Sequence, residues 1–152
     1  MPSGVFTIPG PDGPQKLATE QLFAGKTVVL FSVPGAFTPT CHAKHLPGFV
    51  EKYDQFRAKG VDAVACLAVN DVFVMDAWGK ASGVGEKIAM LADGNAEFTK
   101  ALGLELDASG FGMGTRGKRF AMVVKDGVVK HLNVESAGEF RVSAADYVLG
   151  QL

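Results

Sequence analysis

Cysteine is scarce in this chain of 152 residues: Cys41 and Cys66 are the only two, too few for the disulfide framework of a small secreted domain. A reducing compartment, the cytoplasm, is expected. Excess charge of either sign is also missing, with 15 basic residues against 16 acidic ones, so neither nucleic acid nor an anionic membrane finds an electrostatic footprint. No apolar run approaches the roughly 18 residues of a membrane-spanning helix, and Met1 to Phe6 lacks the basic start and apolar stretch of a secretory signal. No segment repeats. Beside Cys41, His42 and His45 no further cysteine or carboxylate lies close enough in sequence to complete a four-ligand metal site, so no metal is expected. What is present is apolar material, 47% of the residues, at a length that supports one core; residues 1–152 are expected to form one domain.

The chain begins with a stretch to about Gly25 that carries Pro2, Pro9, Pro11 and Pro14 and reads as a turn-rich lead-in, with Thr19 capping a short helix that Gly25 ends. Thr27 to Val33 is a continuous β-branched and apolar run, as expected of a strand covered on both faces. From Thr40, Leu46, Phe49, Val50, Tyr53 and Phe56 recur at three- and four-residue steps, predicting a helix that Pro47 kinks near its start and Gly60 stops. Val61 to Val69 is a second central strand, and Asn70 or Asp71 caps a helix through Trp78. Ile88 to Ala92 is a third strand, and Phe98 and Leu102 belong to a short helix. Leu106 to Gly117 reads as a glycine-rich loop. Asp126-Gly127 joins Phe120 to Lys125 and Val128 to Val134 in a hairpin, and Ser143 with Asp146 opens a terminal helix. Parallel crossover units followed by an antiparallel pair predict an α/β fold, a central mixed sheet flanked by helices.

The segment Pro34-Gly35-Ala36-Phe37-Thr38-Pro39-Thr40-Cys41 carries the chemistry. An unpaired cysteine is commonly a small buried hydrophobe, but this one stands in a polar segment where a central strand turns into a helix, the edge at which open α/β sheets place their sites. Free helical N–H groups and the positive end of the macrodipole favour a thiolate there, and the sulfur is expected to be reachable from solvent. Cys66 differs. Three residues before its strand ends, it should lie about 10 Å below that edge at ~3.3 Å per residue. A disulfide needs Cα atoms within ~7 Å, so core packing is its expected role. Gly112, Gly114 and Gly117 match G-x-G-x-x-G, yet lead into a strand rather than opening a helix, which excludes a dinucleotide fingerprint.

Pro34, Thr38 and Cys41 form the spacing P-x-x-x-T-x-x-C, and with PGAFTPTC, HLPGF, VAC, VND and KRF nearly the whole chain resembles the type II peroxiredoxins. The resemblance implies a thioredoxin-like fold and a thiol-dependent peroxidase that needs no metal, haem or flavin. Its mechanism would be attack of the Cys41 thiolate on a peroxide oxygen to give sulfenic acid. The breaking O–O bond needs donors aimed at both oxygens, a task suited to the Thr38 hydroxyl, while Pro34, lacking an N–H, shields the pocket. A cation is also required; Arg116, Lys118 and Arg119 cluster before the strand at Phe120, and the K-R-F pattern implies Arg119. His45, one turn after Cys41, could tune the pocket or make a structural hydrogen bond. With no cysteine after Cys66, the resemblance implies a one-cysteine cycle closed by an external thiol, glutathione with glutaredoxin or else thioredoxin. It implies a homodimer too, with Phe37, Phe73, Trp78 and Phe111 as candidate contacts. A thioredoxin-fold redox-sensing or chaperone module without turnover is the other reading.

Overall fold

The computed structural model describes all 152 residues. Nine strands and six α-helices follow the order β1 (Val5–Gly10), β2 (Gly13–Ala18), α1 (Thr19–Phe23), β3 (Thr27–Ser32), α2 (Leu46–Glu51), α3 (Tyr53–Ala58), β4 (Ala63–Ala68), α4 (Val72–Ala81), β5 (Ile88–Ala92), α5 (Glu97–Ala101), β6 (Glu105–Asp107), β7 (Thr115–Gly117), β8 (Phe120–Lys125), β9 (Val128–Val134) and α6 (Ala145–Leu149). Seven strands form one mixed sheet in the order β2-β1-β5-β4-β3-β8-β9, with β3, β4 and β5 parallel. This is the thioredoxin-like sheet, with helices on both faces. Alternation along β3 shows why: Val29, Phe31 and Val33 point into a core shared with α2, α3, α4 and α6, while Val28 and Leu30 point into a second core with α1 and α5. No helix is long and apolar enough to cross a membrane.

Local sequence explains several boundaries. Asp71 caps α4 by accepting from Val74 N at 2.9 Å. The hairpin turn at Asp126-Gly127 takes positive φ at both residues, which Asp and Gly tolerate best. The helix after Cys41 breaks into pieces. Pro47 has no N–H to close a four-residue turn, and the chain takes a π-helical turn at Cys41–His45, with Leu46 N donating to Cys41 O.

Four expectations change. The turn-rich lead-in is a β-hairpin in register Phe6↔Leu17 and Gly10↔Gly13; Pro14 lies on the edge strand β2, Pro11 in the turn, and Pro9 on β1 past its one pair with β5, Thr7↔Ala92. Thr19 does not cap α1 but is its first residue, and its hydroxyl accepts from Gly4 N. The Leu106–Gly117 loop contains a two-stranded ribbon, β6 on β7, closed by positive-φ Gly112 and Gly114. Ser143 does not cap α6, because its hydroxyl is engaged by Glu135 Oε2 at 2.7 Å.

Candidate active site

The register of the sheet assembles the site. β3 and β8 are antiparallel neighbours with Ser32 opposite Phe120, so the chain leaving β3 toward Pro34 and the chain entering β8 through Arg119 meet at one sheet edge. Ser32 Oγ strengthens that junction by donating to Lys118 O at 2.9 Å. Residues 78 apart in sequence are thereby in contact: Arg119 Nη2 donates to Cys41 Sγ at 3.0 Å. Of the three candidate cations, Arg116 is occupied elsewhere. Its Nε donates to Met113 O and its Nη1 to Val69 O, tying the β6–β7 ribbon to the end of β4.

A hydrogen-bonded chain extends from Arg119. Its Nη1 lies 2.8 Å from His45 Nδ1, and His45 Nε2 lies 2.9 Å from Ser143 O. A carbonyl only accepts and a guanidinium only donates, so Nε2 carries the imidazole proton and Nδ1 accepts from Arg119. Burial, and then the charge of Arg119, lower the His45 pKa from 6.5 to about 3, keeping the ring neutral as this tautomer requires. One guanidinium thus grips both ends of the π-helical turn, Cys41 and His45. The Phe140 ring, 5.7 Å from the guanidinium carbon, adds a cation–π contact. Ser143 is itself held through N and Oγ by Glu135 Oε2.

The loop before Cys41 is equally constrained. Ala36 N donates to Asn70 Oδ1, and the Thr38 carbonyl accepts the first helical bond from His42 N at 2.8 Å. Gly35 sits in tight quarters: a Cβ there would lie 3.1 Å from Thr38 Cγ2 and 3.3 Å from Met113 Cε, so those side chains would have to give by a few tenths of an ångström. Thr38 departs from expectation. Its hydroxyl donates its one proton to Gly35 O at 2.7 Å, which leaves it only lone pairs to offer elsewhere. In this conformation that proton is not free for the donor role the sequence predicts. Pro34 lines a cleft of about 410 Å³ also bordered by Thr40, Lys118, Arg119, Glu135 and Phe140.

The largest correction concerns access. Cys41 is 0% exposed and belongs to the apolar core beneath the sheet edge, so the sulfur is not reachable in this conformation. Arg119 lies against it through the Nη2–Sγ contact. Trp78 is also fully buried, its Nε1 donating to His42 Nδ1 at 3.0 Å, and is no exposed contact; Phe37, Phe73 and Phe111 are exposed. Cys66 is free and buried, and burial, reinforced by the neighbouring Cys41, pushes its thiol well above the usual range. Sequence reasoning missed Glu135, Ser143 and Phe140. The one signal that pointed to them was His45, a buried polar side chain needing two partners.

Comparison with known proteins identifies the family. A family model described as Redoxin matches residues 1–149. Peroxiredoxin-2B of Arabidopsis thaliana is 51% identical over 138 residues, covering 91% of this chain and 85% of the relative. The chloroplastic Peroxiredoxin-2E-2 of Oryza sativa subsp. japonica is 52% identical over 145 residues, 93% of this chain, and the chain spans 64% of that relative's length. The crystal structure of reduced Prx3 from Vibrio vulnificus in complex with H2O2 matches with a TM-score of 0.95 and 52% identity, over 99% of this chain and 94% of that one. A family match over almost the full length, joined to identity near one half with plant Peroxiredoxin-2 proteins, makes this chain a member of the type II peroxiredoxins, a family of thiol peroxidases.

Proposed function

We propose that this chain reduces hydrogen peroxide and organic hydroperoxides at Cys41, and that an external thiol restores it. The observation that carries the reading is the 3.0 Å contact between Arg119 Nη2 and Cys41 Sγ, a fixed positive charge at the sulfur where negative charge moves during the reaction. The thiolate attacks the terminal peroxide oxygen, the O–O bond breaks, and with one proton the products are Cys41 sulfenic acid and water or an alcohol. Arg119 stabilises the departing oxygen, Thr38 Oγ1 accepts from the peroxide O–H and orients it, and Pro34 excludes water. Cys41 is fully buried in this conformation, so a peroxide reaches the sulfur through a local opening beside it.

A one-cysteine cycle is supported by Cys66, which packs unpaired in the core at β4 while Cys41 sits in the helical turn. Glutathione with glutaredoxin, or thioredoxin, is the proposed reductant, and two unpaired cysteines suit a cytoplasmic setting. The exposed rings of Phe37, Phe73 and Phe111 are the proposed homodimer contacts. Peroxide loss followed with excess glutathione and glutaredoxin tests turnover: stoichiometric consumption alone would move the assignment to a redox-sensing module. Intact mass after one equivalent of peroxide tests the cycle. Gain of one oxygen on Cys41 is expected, and a Cys41–Cys66 disulfide as main product overturns the one-cysteine step.

A further inference from the structure

Arg119 and Ser143 O hold the Cys41–His45 turn at both of its ends, and α4 holds the same segment through two further bonds that the chemistry at sulfur does not use. Asn70, just before the α4 cap Asp71, accepts from Ala36 N at 2.9 Å. Further along α4, Trp78 Nε1 donates to His42 Nδ1 at 3.0 Å. Cys41 lies between the two tied residues and is the chain neighbour of the second. So does Phe37, whose φ of 63° puts a bulky residue in the left-handed region, with its ring 5.6 Å from that of His42 and 6.4 Å from that of Trp78. A residue of that kind stays there only where its surroundings over-determine it, so the segment relaxes if its ties are cut. The two ties differ in what they leave behind. Trp78 is fully buried and its N–H has His42 Nδ1 as partner, whereas the His42 side chain is exposed and on a turn able to move. An indole N–H only donates, so Nδ1 is the accepting nitrogen and the imidazole proton sits on Nε2. Movement of residue 42 away from α4 strands a donor inside the core, and that desolvation cost opposes the movement.

We propose that His42 is a positioning residue: its Nδ1 latches the turn that carries Cys41 to α4 through Trp78, and this bond sets how often the buried sulfur becomes accessible. The proposal rests on the reading that Cys41 is the reacting thiol, since only then does the frequency of opening limit the reaction. Arg119 and His42 divide the work. Arg119 brings charge to Sγ, while His42 acts on the sulfur only through the backbone it shares with Cys41 and so changes the population of the open form.

Reduced protein is pulsed with iodoacetamide, and the alkylation rate at Cys41 is divided by that at Cys66 in the same sample, both read by peptide mass. Cys66, buried in β4, is reached only when the core unfolds, so the ratio cancels general loss of stability. His42→Leu fills the space without offering an acceptor and is expected to raise the ratio about 10-fold, the scale of one buried donor left unpaired. Trp78→Phe removes the donor instead and should raise it about 3-fold. The double variant should fall back to the Trp78→Phe level, because no donor is then left unpaired. His42→Asn, whose Oδ1 takes the place of Nδ1, should return the ratio to within about 2-fold of the wild type. An unchanged ratio in His42→Leu overturns the proposal. So does a His42→Asn ratio as high as that of His42→Leu, which would assign the effect to the lost ring and not to the accepting nitrogen; this contrast decides the matter even if Trp78→Phe does not fold. A wild-type Cys41 that gains no oxygen from hydrogen peroxide overturns instead the peroxidase reading beneath it, a result on which the alkylation ratios do not depend.

Discussion

Neutral His45 gives the protein an acid sensitivity that can be worked out in advance. In the unfolded chain the imidazole titrates near 6.5; in the fold its pKa is lowered to about 3 by burial and by the Arg119 charge. Between those values the unfolded state binds a proton that the native state refuses. Native stability therefore falls as pH falls, by about 1.4 kcal/mol per pH unit once the unfolded imidazole is mostly protonated. Integrated from neutral pH down to pH 5, the loss is about 2 kcal/mol, a sizeable part of the 5–15 kcal/mol typical of a domain. The window above pH 5 is chosen because the Glu135 carboxyl, held low by its hydrogen bonds, keeps its stabilising charge there and loses it only at lower pH. His45→Gln supplies one donor for Ser143 O and one acceptor for Arg119 without titrating, so it serves as the reference. Urea unfolding of reduced protein at a series of pH values should show the wild type losing about 2 kcal/mol more than His45→Gln by pH 5. Carboxylates common to both proteins cancel in the difference. Parallel curves would mean that His45 is not held neutral, and the assignment of its proton to Nε2 would fall with it.

Replacing Arg119 by Met should lower peroxide consumption by about 10²- to 10³-fold, the scale for removing one preorganised donor, with the fold intact by circular dichroism; wild-type rates in that variant would remove Arg119 from the mechanism. Thr38→Ser, which keeps the hydroxyl on Gly35 O, should retain most activity, whereas Thr38→Val, which leaves that carbonyl without its side-chain donor, should lose about 1 kcal/mol of stability and a larger share of rate. Peroxidase assay and thermal unfolding run on both variants check the pair. Cys66→Ala should keep turnover while losing roughly 1 kcal/mol from the core, and loss of turnover with stability retained would point to a redox role for the second thiol.

Which parts of this site are legible in the sequence depends on how far apart the cooperating residues lie. β3 is legible because both of its faces are apolar, and the hairpin because Asp126-Gly127 suits a turn with two positive φ angles. Cys41 and Thr38 are legible because they share one local segment. Arg119 required the motif match, since three cations stand within four residues and only the register Ser32↔Phe120 decides which of them meets the thiol. Glu135 reads as a surface charge, and its three accepted hydrogen bonds depend on how residues 135–143 fold back on themselves, which carries no periodic signal. The N-terminal hairpin is hidden by prolines that stand in its turn, on its edge strand and past the last β1–β5 pair. The burial of Cys41 has a different origin. Periodicity locates the junction of strand and helix, and that junction is indeed at the sheet edge, but it says nothing of a side chain arriving from 78 residues away to close over it. Arg119 donates to the sulfur from one side. A guanidinium donating to Sγ takes up one side of the sulfur, and the apolar core to which Cys41 belongs takes up the rest, so opening the site and keeping the Arg119 contact are separate demands on the fold.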